Sequence, residues 1–170
     1  MADVIELDDP RRPDVTALLI AHLAFAKSNS PPEDVHALDV DRLCVPEITF
    51  ISLRREGVLL GVGALREMDS YQGEIKSMHT AATARKQGVG RKIVEHLLDL
   101  ARSRGYGRVQ LETGSMTSFV PAHRLYESMG FLPCGPFGDY VPSRNSRFYS
   151  LVLSKPKTPG IRLAKNGLSL

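Results

Sequence analysis

The hydrophobic pattern of the chain changes its period at Gly88. Before this glycine, three β-rich segments are joined by short turns: Glu47–Arg54, Val58–Arg66 and Gly73–Thr80. After it, apolar residues recur at helical spacing from Val89 to Ala101, and a further β-rich segment covers Arg108–Thr113. Because a whole helix separates the third and fourth strands, we predict that these two lie parallel through a right-handed crossover. The first three strands should form an antiparallel meander.

Further helices and strands are predicted on both sides of this unit. Helical spacing of apolar residues predicts a helix over residues 13–28, and a second short helix is expected at Glu33–Val40 after two prolines. Downstream, a helix should run from Ser118 or Phe119 to Met129. Short strands are predicted at three more places: Val4–Leu7, Phe131–Pro133 and Arg147–Leu153. The predicted fold class is α+β, or three-layer α/β/α in other schemes, with a mixed central sheet and helices on both faces.

The composition is that of an ordinary globular domain. The chain has 170 residues, of which 42% are hydrophobic, so we expect one domain over residues 1–154. Residues 155–170 hold four basic and no acidic residues, and we expect them to form a poorly ordered tail. Without this tail the formal net charge of +3 becomes −1. Since the body has no basic stripe interleaved with aromatic residues, nucleic acid is not an expected partner.

The cysteines and the apolar segments exclude several other classes. Cys44 and Cys134 lie far apart, without a C-x-x-C pair or a histidine cluster, so we expect neither a disulfide nor a bound metal. Reduced thiols indicate a cytoplasmic protein. No signal peptide is apparent. The longest apolar stretch is about a dozen residues, too short to span a bilayer, so no membrane partner is expected.

The segment Arg85–Lys92 joins the end of a strand to the start of the long helix. Backbone N–H groups at such a junction favour a phosphate, and Gly88 and Gly90 would let the backbone approach it closely. Lys86, Arg91 and Lys92 add positive charge. The alternative is a simple glycine-containing turn. The segment has neither the G-x-x-x-x-G-K-[ST] pattern nor the third glycine of G-x-G-x-x-G, which argues against a Mg-nucleotide loop and a dinucleotide site.

Two motifs resemble the GNAT (Gcn5-related N-acetyltransferase) superfamily. Arg85-Lys-Gln-Gly-Val-Gly90 is similar to its acetyl-coenzyme A loop, and Ala122-His-Arg-Leu-Tyr-Glu-Ser-Met-Gly-Phe131 to its A-x-x-L-Y-x-x-x-G-F helix. Two further stretches, Gly73–Met78 and Gly135–Tyr140, resemble a bacterial subgroup of acetyltransferases. The resemblance implies the GNAT acyl-CoA N-acyltransferase fold and acetyl-CoA as co-substrate. The residues that it places at the cofactor are Met78, His79, Thr80, Arg85, Lys86, Gln87, Gly88, Val89, Gly90, Arg91, Lys92 and Tyr126.

The resemblance also implies catalytic roles for three residues. The N–H of Met78, at a strand bulge, would polarise the thioester carbonyl. Glu74 would be the general base, and its spacing of four residues from Met78 predicts that both side chains share one face of the strand. Glu112 or a relaying water is the alternative base, and a surface or cross-strand ion pair is the alternative role for Glu74. Tyr126 would protonate the departing thiolate, although its spacing also suits a core residue.

Few residues of the sequence indicate which amine is the acceptor. The family implies that it enters between Ser30–His36 and Pro136–Arg147, where Glu33, Asp139, Tyr140 and Arg144 could contact it. Where many members place an asparagine near the cofactor, this chain has Gly114, so Thr113 or Ser115 would make that contact. His36, His79, His123 and Cys134 are interpreted as structural. The predicted function is transfer of acetyl from acetyl-CoA to a primary amine of a small molecule. A protein or peptide acetyltransferase and a non-catalytic acyl-CoA-binding protein are the alternatives, and a homodimer is left open.

Overall fold

Seven strands form one sheet in the computed structural model, which describes residues 2–154. The strand order is β1-β2-β3-β4-β5-β7-β6. The strands are β1 Asp3–Leu7, β2 Ile48–Arg55, β3 Val58–Glu67, β4 Gln72–Thr80, β5 Arg108–Gly114, β6 Leu132–Cys134 and β7 Ser146–Val152. All neighbouring strands are antiparallel except β4 and β5, which are parallel. This parallel pair confirms the prediction made from the helix that separates the two strands in the sequence. The predicted tail at 155–170 lies outside the described residues.

Three helices cover the two faces of the sheet: α1 Pro13–Asn29, α2 Val89–Ser103 and α3 Val120–Ser128. The apolar stripe of α2 packs on the larger core, together with Tyr126 of α3. Val15 and Leu19 of α1 pack on the opposite face, against Phe50, Val62 and Ala64. Helices therefore lie on both faces, and the mixed-sheet α+β prediction is confirmed. Among the described residues, no helix is both long and apolar enough to cross a membrane.

Local sequence explains the turns that fix this topology. Glu56 and Gly57 alone join β2 to β3, and both have positive φ, at 51° and 80°. Two such residues suit the twist of an antiparallel hairpin, so the sequence Glu-Gly there sets the register of the meander. Gly105, with φ 78°, follows α2 as a helix-ending glycine should.

The predicted helix at Glu33–Val40 is wrong. The segment contains only a short 3-10 turn at Pro32–Asp34, and another follows at Asp41–Leu43. Val35 has extended dihedrals, with φ −86° and ψ 105°, which end the first turn after three residues. Because this segment stays irregular, its polar side chains can approach the loop between β6 and β7.

Candidate active site

The sheet opens into a wedge between its two parallel strands. β4 and β5 pair only over four positions, from Gln72 opposite Arg108 to Ile75 opposite Leu111. Beyond this point β4 remains paired with β3 as far as Thr80, and β5 with β7 as far as Gly114. Beyond Ile75 and Leu111, the two strands therefore continue without hydrogen bonds to each other. Backbone polar groups along such an open edge can bind an extended ligand as an added strand.

A β-bulge in β4 lies at the start of the wedge. The register with β3 jumps between Val62 opposite His79 and Ala64 opposite Lys76, so Ser77 and Met78 both stand beside Gly63. Ser77 takes up the extra residue with a positive φ of 55°. The bulge required by the proposed role of the Met78 N–H is therefore present.

The bulge also reverses the side-chain alternation of β4. A Cβ on Gly63 would lie 2.8 Å from the Met78 sulfur, which places this side chain on the α2 face. Glu74 lies on the other face, where it contacts Lys76 and Tyr140. The prediction that Glu74 and Met78 share a face is wrong, because one inserted residue exchanges the two faces for everything beyond it. As predicted, His79 points away from Met78.

The predicted phosphate segment lies at the start of α2. Lys86 and Gly88 have positive φ, at 62° and 78°, and no side chain caps the helix N-terminus. A Cβ on Gly88 would meet no atom within 4 Å, so the space above the turn is open. The first-turn N–H groups and the helix dipole therefore suit an anion there.

The basic side chains of this segment are partly committed elsewhere. Arg91 donates to the Ser128 hydroxyl at 2.6 Å, and Lys92 forms an ion pair with Asp3. Gln87 accepts a hydrogen bond from Arg55. At this turn the backbone thus provides more for an anion than the side chains of Gln87, Arg91 and Lys92 do. Thr80 is nearby, since its hydroxyl would lie 3.9 Å from a Cβ on Gly90.

Tyr126 is held by α3 inside the larger core. Its ring lies edge-on to Phe131, with centroids 5.8 Å apart, and it is only 6% exposed. Burial raises the pKa of Tyr126 well above its usual value, and the charge of Glu112 adds to the effect. The phenol is therefore protonated throughout the neutral range.

Glu74 lies in a compact polar cluster on the α1 side of the sheet. Its Oε1 accepts hydrogen bonds from the Tyr140 hydroxyl at 2.5 Å and from Lys76 Nζ at 3.1 Å. Its Oε2 lies 3.5 Å from the guanidinium of Arg66, the cross-strand neighbour. Glu74 is 1% exposed and forms an ion pair with Arg66 on the neighbouring strand, so the alternative of a cross-strand ion pair is present and a surface position is not. The sequence analysis missed Arg66 and Lys76. Lys76 lies two residues after Glu74 on the same strand, and Arg66 lies opposite Glu74 on the neighbouring strand, so strand alternation could have revealed that all three share a face.

Glu112, the alternative base, has the more perturbed carboxyl group. It stands opposite Phe148 in the pairing of β5 with β7, and the Phe148 ring lies 5.5 Å from that of Tyr140. Burial raises the pKa of Glu112 to about 7, although nearby Lys76 opposes the shift. A carboxylate with a pKa near neutrality is suited to accept and release a proton.

The two segments predicted to admit the acceptor do meet. The ring of His36 packs edge-on against Tyr140, with centroids 4.9 Å apart, and Asn145 donates a 2.9 Å hydrogen bond to Asp34. They close over the cluster of Glu74 and Lys76. Ser115, predicted as a possible cofactor contact, binds the loop between β6 and β7. Its hydroxyl donates a hydrogen bond to the Arg144 carbonyl at 2.7 Å.

The remaining histidines and Cys134 contact other protein groups and do not form a metal site within the described residues. His22 of α1 and His79 approach each other with Nδ1 atoms 3.1 Å apart, a pair that no sequence pattern indicates. Burial lowers the pKa of each to about 4. Within residues 2–154 no group of three or more His, Cys, Asp or Glu side chains converges as a metal site. His123 contacts the Gly114 carbonyl at 2.7 Å, and burial raises the pKa of Cys134.

The same fold occurs in a solved structure. A Klebsiella pneumoniae protein, named as an acyl-CoA N-acyltransferase, superposes with a TM-score of 0.76 at 25% sequence identity. The match covers 89% of this chain and 98% of that one. The fold is therefore that of the acyl-CoA N-acyltransferases.

Sequence comparison identifies the family. The model of the acetyltransferase (GNAT) family matches residues 17–131. An uncharacterised N-acetyltransferase of Bacillus subtilis, YsnE, is 47% identical over 88% of this chain and 99% of its own length. Another from Escherichia coli, YedL, is 43% identical over 88% of this chain and 94% of its own. The chain belongs to the GNAT family and is an acetyl-CoA-dependent acetyltransferase, which confirms the resemblance found in the sequence.

Proposed function

We propose that the protein transfers the acetyl group of acetyl-CoA directly to a primary amine of a small molecule. The observation that carries this proposal is the wedge between β4 and β5, flanked by the bulge at Ser77 and the open turn at Gly88. The wedge offers an unpaired strand edge for the pantetheine arm, and the uncapped α2 start offers N–H groups for the pyrophosphate. The residues present thus fit the co-substrate.

The binding residues are those named from the sequence. Backbone groups of Met78, His79 and Thr80 line the β4 side of the wedge, and Arg85 to Lys92 form the turn and first helical residues. Their contribution comes mainly from the backbone, because Gln87, Arg91 and Lys92 already have side-chain partners. Acetyl-CoA supplies the acetyl group as a thioester, whose carbonyl carbon an amine can attack.

Three groups of this chain act on the transfer. Glu112 takes a proton from the acceptor nitrogen, which then forms a bond to the carbonyl carbon. The Met78 N–H donates to the carbonyl oxygen as negative charge develops there, an interaction of the kind often worth about 3 kcal/mol. When the carbon–sulfur bond breaks, Tyr126 gives its phenolic proton to the sulfur, which leaves as a thiol.

The choice between the two carboxylates rests on their surroundings. Oε1 of Glu74 already accepts two hydrogen bonds, and an ammonium and a guanidinium surround the group. These hydrogen bonds and the ion pair with Arg66 already engage both oxygens of the Glu74 carboxylate. Glu112 is destabilised as an anion by burial, so it binds a proton more readily. We therefore assign Glu112 as base and Glu74 as a positioning residue, and the original assignment of Glu74 as base stays a prediction that the same experiments test.

Ligand-induced thermal shifts and thiol release test the proposal. Acetyl-CoA should raise the melting temperature more than ATP or NAD at equal concentration, because a ligand that binds only the native state stabilises it. Amines should then cause acetyl-CoA-dependent thiol release. Tyr126→Phe should lower that rate by about 10²–10⁴-fold without weakening acetyl-CoA binding. Equal shifts with ATP or NAD, or a Tyr126→Phe enzyme of unchanged rate, would contradict the proposal.

A further inference from the structure

Charges of both signs flank the acceptor side of the wedge. Arg66 and Lys76 lie on β3 and β4, on the same face as the single carboxylate of Glu74. Two cations thus share one anion. Glu112 lies on β5, across the wedge from them. The site is therefore cationic along one wall and acidic along the other.

The two cations have hydrogen-bonding capacity to spare. Lys76 Nζ has three donors and two protein acceptors, Glu74 at 3.1 Å and the Tyr140 hydroxyl at 2.8 Å. Its side chain is only 7% exposed, so water has little access to the third donor. Arg66 is 3.5 Å from Glu74 and donates no side-chain hydrogen bond within the described part of the chain. Its five N–H donors remain available to an anion that enters from solvent.

The position of the reaction fixes which end of an acceptor meets which wall. In the proposed mechanism the nucleophilic nitrogen lies at Glu112, beside the thioester in the wedge. The rest of a small acceptor then extends toward Lys76 and Arg66 on the opposite wall. A carboxylate is the group best matched there, because an arginine fork and an ammonium bind carboxylates by charge-assisted hydrogen bonds.

We propose that the acceptor is an amino acid, a primary amine that carries a free carboxylate, and that Arg66 and Lys76 bind this carboxylate. The inference rests on the proposed function, and it names the substrate class for the same site. It separates two kinds of acceptor that the sequence left open. A peptide N-terminus carries an amide at this position and would leave the spare donors of both cations without an anionic acceptor.

Matched acceptor series test the inference. Each series holds an amine, the amino acid and the amino acid amide with one side chain: ethylamine, alanine and alaninamide, then phenethylamine, phenylalanine and phenylalaninamide. Thiol release is measured with acetyl-CoA at saturation. The acid should exceed its amide in kcat/KM by about tenfold or more, the effect expected for one charge-assisted contact. The amide has the less basic nitrogen and more free amine, so intrinsic reactivity opposes this preference.

Variants assign the preference to the two cations. Arg66→Gln should lower the acid-over-amide ratio of kcat/KM by about tenfold. Arg66 is 47% exposed, so the variant should fold. Lys76→Met should act in the same direction, although it also disturbs Glu74. The matched control is Arg102→Gln on α2, a similarly exposed arginine paired with Asp99, which should keep the wild-type ratio.

The outcomes separate this inference from the proposed function. Amides or simple amines used as well as the acids would overturn the inference and leave amine acetylation intact. An acid preference that survives in Arg66→Gln would also overturn it. If no member of either series is acetylated, the substrate class is wrong, whereas the proposed function is judged by the acetyl-CoA thermal shift and by other amines.

Discussion

Replacement of Glu112 by Gln tests the assignment of the base and its burial together. In the folded protein burial raises the pKa of Glu112 to about 7, against 4.5 for the unperturbed group. Between these two values the folded state keeps a proton that the unfolded state releases. The free energy of unfolding of the wild type therefore falls as pH rises from about 4.5 to about 7, at about 1.4 kcal/mol per pH unit for this group. Above pH 7 both states are ionised and the slope ends.

The stability measurement needs no acceptor. Glu112→Gln removes the titration, so the variant should gain about 2–3 kcal/mol relative to wild type between pH 5 and pH 8. For a chain of this size each kcal/mol shifts the melting temperature by about 2–4 °C. Urea unfolding at the two pH values measures the difference directly. Glu95→Gln, on the exposed face of α2, is the matched control and should show no such change.

The kinetic measurement follows the same group through catalysis. A base with a pKa of about 7 is about one-tenth ionised at pH 6 and nine-tenths at pH 8. The ratio of wild-type to Glu112→Gln kcat/KM should therefore rise nearly tenfold over this range, and acceptor ionisation cancels in the ratio. A Glu112→Gln enzyme with wild-type rate and pH profile, beside a Glu74→Gln enzyme that has lost both, would refute the reasoning and make Glu74 the base.

Two further variants test the parts of the fold that hold the site. Gly88→Ala forces a side chain into left-handed backbone at φ 78°, which costs about 1–2 kcal/mol, and we expect weaker acetyl-CoA binding in a thermal-shift titration although the added Cβ meets no atom. An unchanged titration would show that this turn does not bind the co-substrate. Arg54→Met removes the partner of buried Asp8 and of Asp14 in α1, and should lower the free energy of unfolding by about 3–5 kcal/mol. A loss below about 1 kcal/mol in urea unfolding would contradict that estimate of the buried pair.

The sequence predicted those features whose cause is local. The short turn between the segments that end at Arg54 and begin at Val58, and the 3.6-residue period from Val89 to Ala101, each have a short-range physical reason, and both occur as predicted. The start of α2 could be predicted equally well, because Gly88 and Gly90 mark it in the sequence. The helix predicted at Glu33–Val40 fails because extended backbone at Val35 ends the helical turn. What determines that segment is distant in sequence, namely the contacts of His36 with Tyr140 and of Asp34 with Asn145.

The chemistry of the site depends on one residue that no periodicity reveals. Ser77 adopts a positive φ without being glycine, and this single bulge turns Met78 to the α2 face while Glu74 and Lys76 remain on the α1 face. Had β4 been regular, Glu74 and Met78 would share a face as predicted. Glu74 contacts two cations on the part of β4 before the bulge, and Glu112 on the neighbouring strand has the raised pKa. The bulge therefore turns Met78 away from these groups and prepares its N–H for the thioester, whereas the base on β5 and the carboxylate-binding wall on β3 and β4 are separate because different strands carry them.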